Sequence, residues 1–233
     1  MSSDKATRGT LALLGGGEWG PHTRDLDARL LADSGGHDVI VLPTAAAFEH
    51  PERIEAAAAA HFGALGASVK VLPVLHRAEA EDEDLAEVVR DARLIYIADG
   101  SPLHLRSVLK GSALFAGLRA AYRSGAVVAA SGAGATVLCD PMVDPRGGAY
   151  TVGLGIVENL AVFPYHGTAA DHLRERSIDL LPRTAQLMGI DEETAAIREP
   201  DGTWSVVGAG VVTIYEGGAA TAYPSGSTGL PLP

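Results

Sequence analysis

Between Thr10 and Ser131, five short apolar runs alternate with segments of helical periodicity, and no other feature limits the possible folds as much. The runs are TLALLGG (Thr10–Gly16), DVIVLPT (Asp38–Thr44), SVKVLPV (Ser68–Val74), RLIYIAD (Arg93–Asp99) and AVVAAS (Ala126–Ser131). Each is Leu-rich or β-branched and is bounded by glycine, proline or charge. Such runs read as parallel strands covered on both faces. Between them, Ile54, Ala58, Phe62 and Leu65 fall at helical spacing behind Pro51, a favoured first-turn residue. Leu114, Leu118, Ala121 and Tyr122 repeat the pattern before Ser124-Gly125. The alternation predicts a doubly wound, mostly parallel sheet between two helical layers, a three-layer α/β/α sandwich.

From about Tyr150 the texture changes to short strand-like stretches separated by Gly, Asp and Pro. These predict added C-terminal strands and hairpins extending the same sheet. One helix is expected over 168–181, with Leu173, Ser177, Leu180 and Leu181 on its inner face. No linker divides the chain, so residues 1–223 are expected as one domain and 224–233, PSGSTGLPLP, as a flexible tail. With 233 residues, 47% of them hydrophobic, the core needs no staple. The single Cys139 rules out an internal disulfide framework, and its expected buried, reduced use fits a cytoplasmic protein. The N-terminal MSSDKATRG lacks the apolar region of a signal peptide, and no run approaches the ~18 apolar residues of a membrane span. A net charge of −11 argues against a nucleic-acid partner. The acidic run Glu79–Glu87 reads as a solvated loop or a first helical turn.

Sheets of this kind hold ligands at the C-terminal ends of their strands. Gly16, Gly17 and Glu18 stand there in GGGEWG, a match to the dinucleotide fingerprint. The second strand ends VLPT without the acidic residue a ribose would need, so no nucleotide cofactor is expected. Asp99, Gly100, Ser101 and His104 stand at the fourth end, and Ser131, Gly132 and Ala133 at the fifth. The run ASGAGA is strand, turn and helix built from small residues. That is the frame of a nucleophile elbow, with a glycine where the reactive side chain would be. A close-packed turn beneath a helix explains the same residues. In VFPYHGT, His166 follows an apolar strand, which suits a general base or a structural histidine. Ligand spacing among the histidines and carboxylates is unremarkable, and no metal is expected.

Together LLGGGE, VLPTAA, ADGSPLHLRSVL, SGAGATVLCDPM, FPYH and GIDEETA resemble the serine peptidase family of cyanophycinase and aspartyl dipeptidase (dipeptidase E). The resemblance runs from about Leu11 to Tyr215 and implies a type 1 glutamine amidotransferase-like fold. It implies an elbow Gly-Thr/Ser-Ser-Ala-Gly-Ala, which places the nucleophile on Gly132, the base on His166 and the orienting acid on Asp144 or Glu192. It also implies a Gly-Gly at the end of the fourth strand as part of the oxyanion hole, where this chain has Asp99-Gly100. A carboxylate there would repel a developing oxyanion. By analogy with the family a homodimer is expected.

Three functions follow as expectations. The first is a degenerate catalytic triad repurposed for acid–base chemistry on a small amino-acid- or peptide-like substrate, with an Asp99–His166 pair and Glu18. The second is a non-catalytic binding protein that holds such a ligand at the elbow glycines. The third is a serine hydrolase using Ser131, or a chain whose elbow serine has been exchanged for Gly132. Strand alternation aims Ser131 away from the expected base. Cys139, about two turns beyond the elbow, is expected in the core.

Overall fold

The five apolar runs form β1 (Leu11–Leu14), β2 (Asp38–Leu42), β3 (Ser68–Val71), β4 (Leu94–Ile97) and β5 (Val127–Ser131) in a computed structural model that describes residues 8–233. All five run parallel. The polar stretch 1–7 lies outside the described residues. The chain continues through β6 (Cys139–Asp140), β7 (Met142–Val143), β8 (Tyr150–Thr151), β9 (Val157–Glu158), β10 (Leu160–Phe163) and β11 (Gln186–Ile190). It ends with β12 (Thr194–Arg198), β13 (Trp204–Gly208), β14 (Val211–Glu216) and β15 (Ala219–Pro224). The main sheet has the order β13-β12-β1-β5-β4-β2-β3, with β12 and β13 antiparallel to their neighbours.

Side-chain alternation divides each strand between two cores. Ala12, Leu14, Val39 and Tyr96 face α1 (Arg24–Ser34) and α2 (Pro51–Gly63) through Leu26, Leu30, Ala58 and Phe62. Leu11, Leu13, Ile95 and Val128 face the other side. There they meet α4 (Glu83–Arg90), which follows the short α3 (Arg77–Ala80), and then α5 (Pro102–Leu109), α6 (Ala113–Arg123) and α7 (Ala133–Leu138). The acidic run is helical: Asp82 accepts from the Asp84 and Leu85 N–H groups and caps α4.

Two expectations about the C-terminal third are corrected. Only β12 and β13 extend the main sheet. The strands β10, β11, β14 and β15 form a second, four-stranded sheet. One face of that sheet joins the larger core through Leu160, Val162, Met188 and Ile190. Its other face, with Ala161, Phe163 and Leu187, packs on α8 (Asp171–Asp179) through Leu173 and Ile178. The second correction concerns 224–233, which is tied down. Gly229 N–H donates to the Trp204 carbonyl at 2.8 Å, Trp204 Nε1 donates to the Pro233 carbonyl at 3.1 Å, and Leu230 is only 5% exposed. Cys139 is buried at the end of α7, and burial pushes its thiol far above the usual range.

Candidate active site

The bend after β5 has the backbone of an elbow. Gly132 sits at φ +46°, ψ −101°, outside the regions that side-chain-bearing residues favour. Its N–H donates to Leu14 O on the neighbouring β1 at 3.0 Å, and its carbonyl accepts from Thr136, so the turn is fixed on both sides. Strands β4 and β5 pair Ile97 with Ala130, a register that brings Asp99 opposite Gly132 two residues further on.

The Asp99 carboxylate fills this bend. Its Oδ1 accepts from Ala133 N–H at 2.6 Å and from Gly100 N–H at 2.7 Å. Its Oδ2 accepts from the Tyr165 hydroxyl. A Cβ placed on Gly132 would stand 2.2 Å from the Asp99 Cγ and from both of its oxygens. The carboxylate therefore takes the volume that any side chain at 132 would need. It also occupies the Gly100 and Ala133 N–H groups at the bend. Tyr165 adopts a left-handed φ of 53°. Its ring passes over Gly16, where a Cβ would lie 2.3 Å from the Tyr165 Cζ. Burial first, and then the Asp99 hydrogen bond and charge, hold the Tyr165 phenol protonated.

Glu18 supports Asp99 from behind. One Glu18 oxygen accepts from the Asp99 N–H at 2.9 Å, and the other accepts from the Ser131 hydroxyl at 2.7 Å. Burial raises the Glu18 pKa, and these two hydrogen bonds oppose the shift. Ser131 is fully buried and its proton is committed to a carboxylate. The alternation argument holds: Ser131 faces Glu18, and no imidazole meets it.

His166 is the main correction. The Asp99–His166 pair does not form. His166 Nε2 lies 2.9 Å from the Tyr215 hydroxyl and Nδ1 lies 3.6 Å from Asp191 Oδ1, so its ring belongs to the second sheet. Burial, helped by the Arg174 charge, lowers its pKa against the pull of Asp191. Neither expected acid reaches it. Asp144 binds its neighbour Arg146 at 2.5 Å, which holds its carboxyl below the usual range. Glu192 accepts from Thr168 at 3.1 Å. Ser101 caps α5 by accepting from His104 N–H, and the His104 ring turns to the Leu75 carbonyl at 2.8 Å and the exposed Phe48. Gly17 and Gly100 line the cleft.

Two hollows flank Asp99. One, of about 470 Å³, is lined by Gly17, Glu18, Glu49, Asp99 and Tyr165. The other, of about 250 Å³, is mostly apolar and reaches from Asp99 and Ala133 to Phe163 and Leu173. Tyr165, Asp191 and Tyr215 are not among the residues the sequence pointed to. Tyr165 adjoins the chosen histidine and faces the elbow in its stead. Of the acids in GIDEE, Asp191 faces His166, and Glu193 accepts from His22 N–H at 2.8 Å. Among the described residues no cluster of His, Cys, Asp or Glu is arranged to hold a metal ion. No helix among them is long and apolar enough to cross a membrane.

A largely parallel sheet, an elbow between strand and helix, and a cleft at the strand ends define a hydrolase-type α/β protein. The sequence model of peptidase family S51 matches residues 11–205, and the chain belongs to that family. It is 29% identical over 230 residues to the cyanophycinase of Geminocystis herdmanii, covering 91% of this chain and 82% of that one. It is 27% identical to the cyanophycinase of Synechococcus elongatus, covering 90% and 68% respectively. Among solved structures, a peptidase from an acI-B1 actinobacterium superposes with a TM-score of 0.86 at 32% identity, over 96% of this chain and 97% of that one. A peptidase E protein from Listeria monocytogenes shares the fold, with a TM-score of 0.65 at 14% identity over 93% and 98%.

Proposed function

We propose that this member of the family does not run a serine acyl-enzyme reaction. Asp99 takes the place of the nucleophile, and the cleft performs acid–base chemistry on a small amino-acid- or peptide-like substrate. One observation carries the reading: the Asp99 carboxylate lies across the space a side chain at 132 would occupy, bound to the N–H groups of Gly100 and Ala133. An oxyanion cannot use donors that a carboxylate already holds, and Gly132 offers no oxygen for attack. The groups left at the elbow are Asp99, the protonated Tyr165 hydroxyl and Glu18, which line one hollow together with Glu49. Asp99 Oδ2 can receive a proton from one atom of the substrate and pass it to Tyr165 as the Tyr165 hydroxyl gives its own proton to another, which leaves both groups as they began. Such proton transfer is worth about 10²–10⁴-fold in rate.

The second reading, a binding protein without turnover, draws on a different fact. Asp99 already accepts hydrogen bonds from Gly100, Ala133 and Tyr165. A group so fully satisfied is also well suited to shape a static pocket. The test is a survey of amino-acid and dipeptide substrates with the unaltered protein, Asp99→Asn and Tyr165→Phe. The first reading requires a substrate whose turnover falls about 100-fold or more in Asp99→Asn. Ligand binding without turnover in all three would establish the second. Labelling by a fluorophosphonate probe, or hydrolysis of an aspartyl dipeptide with Asp99→Asn fully active, would overturn both.

A further inference from the structure

A cavity of about 350 Å³ opens at the far end of the sheet from the elbow, where β1 starts beside the last residue of β12. Arg8, Arg119, Arg123 and Arg198 line it, and Glu158 is the one carboxylate side chain that joins them. The chain has 18 basic residues against 29 acidic ones, so four guanidiniums at one hollow is a local inversion of its charge. The ion pairs among the described residues involve Arg29, Arg77, Arg146, Arg174 and histidines, and none of these four arginines.

Arg119 and Arg123 lie near the end of α6, where cations commonly offset the helix dipole. That role is already filled. The carbonyls of Ala120, Ala121 and Tyr122 accept from the backbone N–H groups of Ser124, Gly125, Ala126 and Gly9. Two of the arginines are held in place by aromatic faces, Arg119 over Phe115 and Arg198 over Trp204, each at 5.9 Å. The independent sign of a ligand is Tyr122. It lines the cavity, is 4% exposed, and its hydroxyl has no well-formed hydrogen bond. Arg8 and Arg198 lie close enough for their charges to act on that phenol, and the Arg198 guanidinium, a donor only, offers it no acceptor. Arg198 approaches this buried hydroxyl as a donor, which leaves the hydroxyl proton without an acceptor oxygen.

We propose that this cavity binds a small, multiply charged anion of the phosphate class, gripped by the four arginines with the Tyr122 hydroxyl donating to it. Several guanidiniums match a di- to tetra-anion, whereas a monocarboxylate would leave most of their charge unanswered. The volume equals that of about twelve waters, room for a pyrophosphate or a phosphorylated metabolite.

The test is calorimetric titration of the full chain at low ionic strength with pyrophosphate, inorganic phosphate and acetate. Saturable binding of one pyrophosphate per chain is expected, with acetate at least about tenfold weaker. Arg198→Ala and Arg123→Ala should each weaken pyrophosphate about tenfold or more, and Arg53→Ala on α2 should leave it unchanged. Arg123 is exposed, so its replacement keeps the test valid if Arg198→Ala fails to fold. Pyrophosphate should also raise the melting temperature of the unaltered protein, and raise that of Arg123→Ala by less at the same concentration. No saturable binding, or equal weakening by Arg53→Ala, overturns the proposal.

Discussion

Replacing Gly132 by serine tests whether Asp99 holds the place of a nucleophile, and the cost can be worked from the structure. At φ +46°, ψ −101° a residue with a Cβ is strained by about 1–3 kcal/mol. The new Cβ would stand 2.2 Å from the Asp99 carboxylate, so that group must leave the Gly100 and Ala133 N–H donors. Hydrogen bonds to a charged group are worth about 1.5–3 kcal/mol each, so ejection costs roughly 3–6 kcal/mol. Gly132→Ser should therefore lose about 4–9 kcal/mol, much of the stability of an ordinary domain. Asp99→Gly loses the same two hydrogen bonds. In the double variant they are lost only once, so it should be roughly 3–6 kcal/mol more stable than the sum of the single effects implies. Urea unfolding of the four proteins, followed by tryptophan fluorescence, completes the cycle. If Gly132→Ser does not fold, recovery of a folded double variant supports the same conclusion. Additivity within about 0.5 kcal/mol would mean that the two residues do not compete for space, and the reasoning would fail.

Other expectations can be checked on single variants. Ser131→Ala leaves a buried oxygen of Glu18 without its donor and should cost about 1–3 kcal/mol; a neutral change would show that the Ser131–Glu18 bond does not matter. Burial lowers the His166 pKa in the folded chain, so its stabilising contribution is present above the unfolded value of about 6.5 and is lost as pH falls through the lowered one. His166→Gln should flatten that acid limb of the stability–pH profile, and an unchanged limb would contradict the assignment. Leu230→Ala should cost about 2–5 kcal/mol in chemical unfolding if the C-terminal segment packs as described, and close to nothing if it is loose. Cys139 should resist a thiol reagent in the folded protein and react on unfolding; rapid native labelling would refute its burial.

The parallel core was legible because a strand buried on both faces has few alternatives. LALL, DVIVL and LIYI leave no polar face for another arrangement. The later strands were legible as strands but not by sheet. Alternation reports which face of a strand is buried and says nothing about its neighbour, so QLMGI and TAAIR read alike. They join different sheets although only a short turn separates them in the chain. The elbow frame was visible in its run of small residues. The position of Asp99 over it follows from the register of β4 against β5, which the sequence does not report. Nor does it report the partner of His166. Asp191, Glu192 and Glu193 are consecutive acids that go to His166, Thr168 and His22, and only the turn geometry, with Glu193 at φ 50°, separates them.

On the proposed reading, one geometric fact links the departures at the elbow. Serine hydrolysis needs a hydroxyl at the bend, an empty pair of N–H donors and an imidazole facing both. Here the carboxylate that fills the donors also takes the volume of the side chain that would carry the hydroxyl, so no single substitution restores the arrangement. Gly132→Ser meets Asp99, and Asp99→Gly empties the donors but supplies no nucleophile. The imidazole is bound elsewhere, with Tyr215 and Asp191. Triad members act as a unit, so an imidazole loses its catalytic role once the hydroxyl is gone. The residue that then touches Asp99 is the neighbouring Tyr165, whose protonated hydroxyl suits a carboxylate better than a second negative charge would. Recovery of acyl chemistry therefore calls for the elbow pair to be changed together and for the imidazole to be released from Tyr215. A site that needs such coordinated changes is organised around Asp99 rather than around a missing serine.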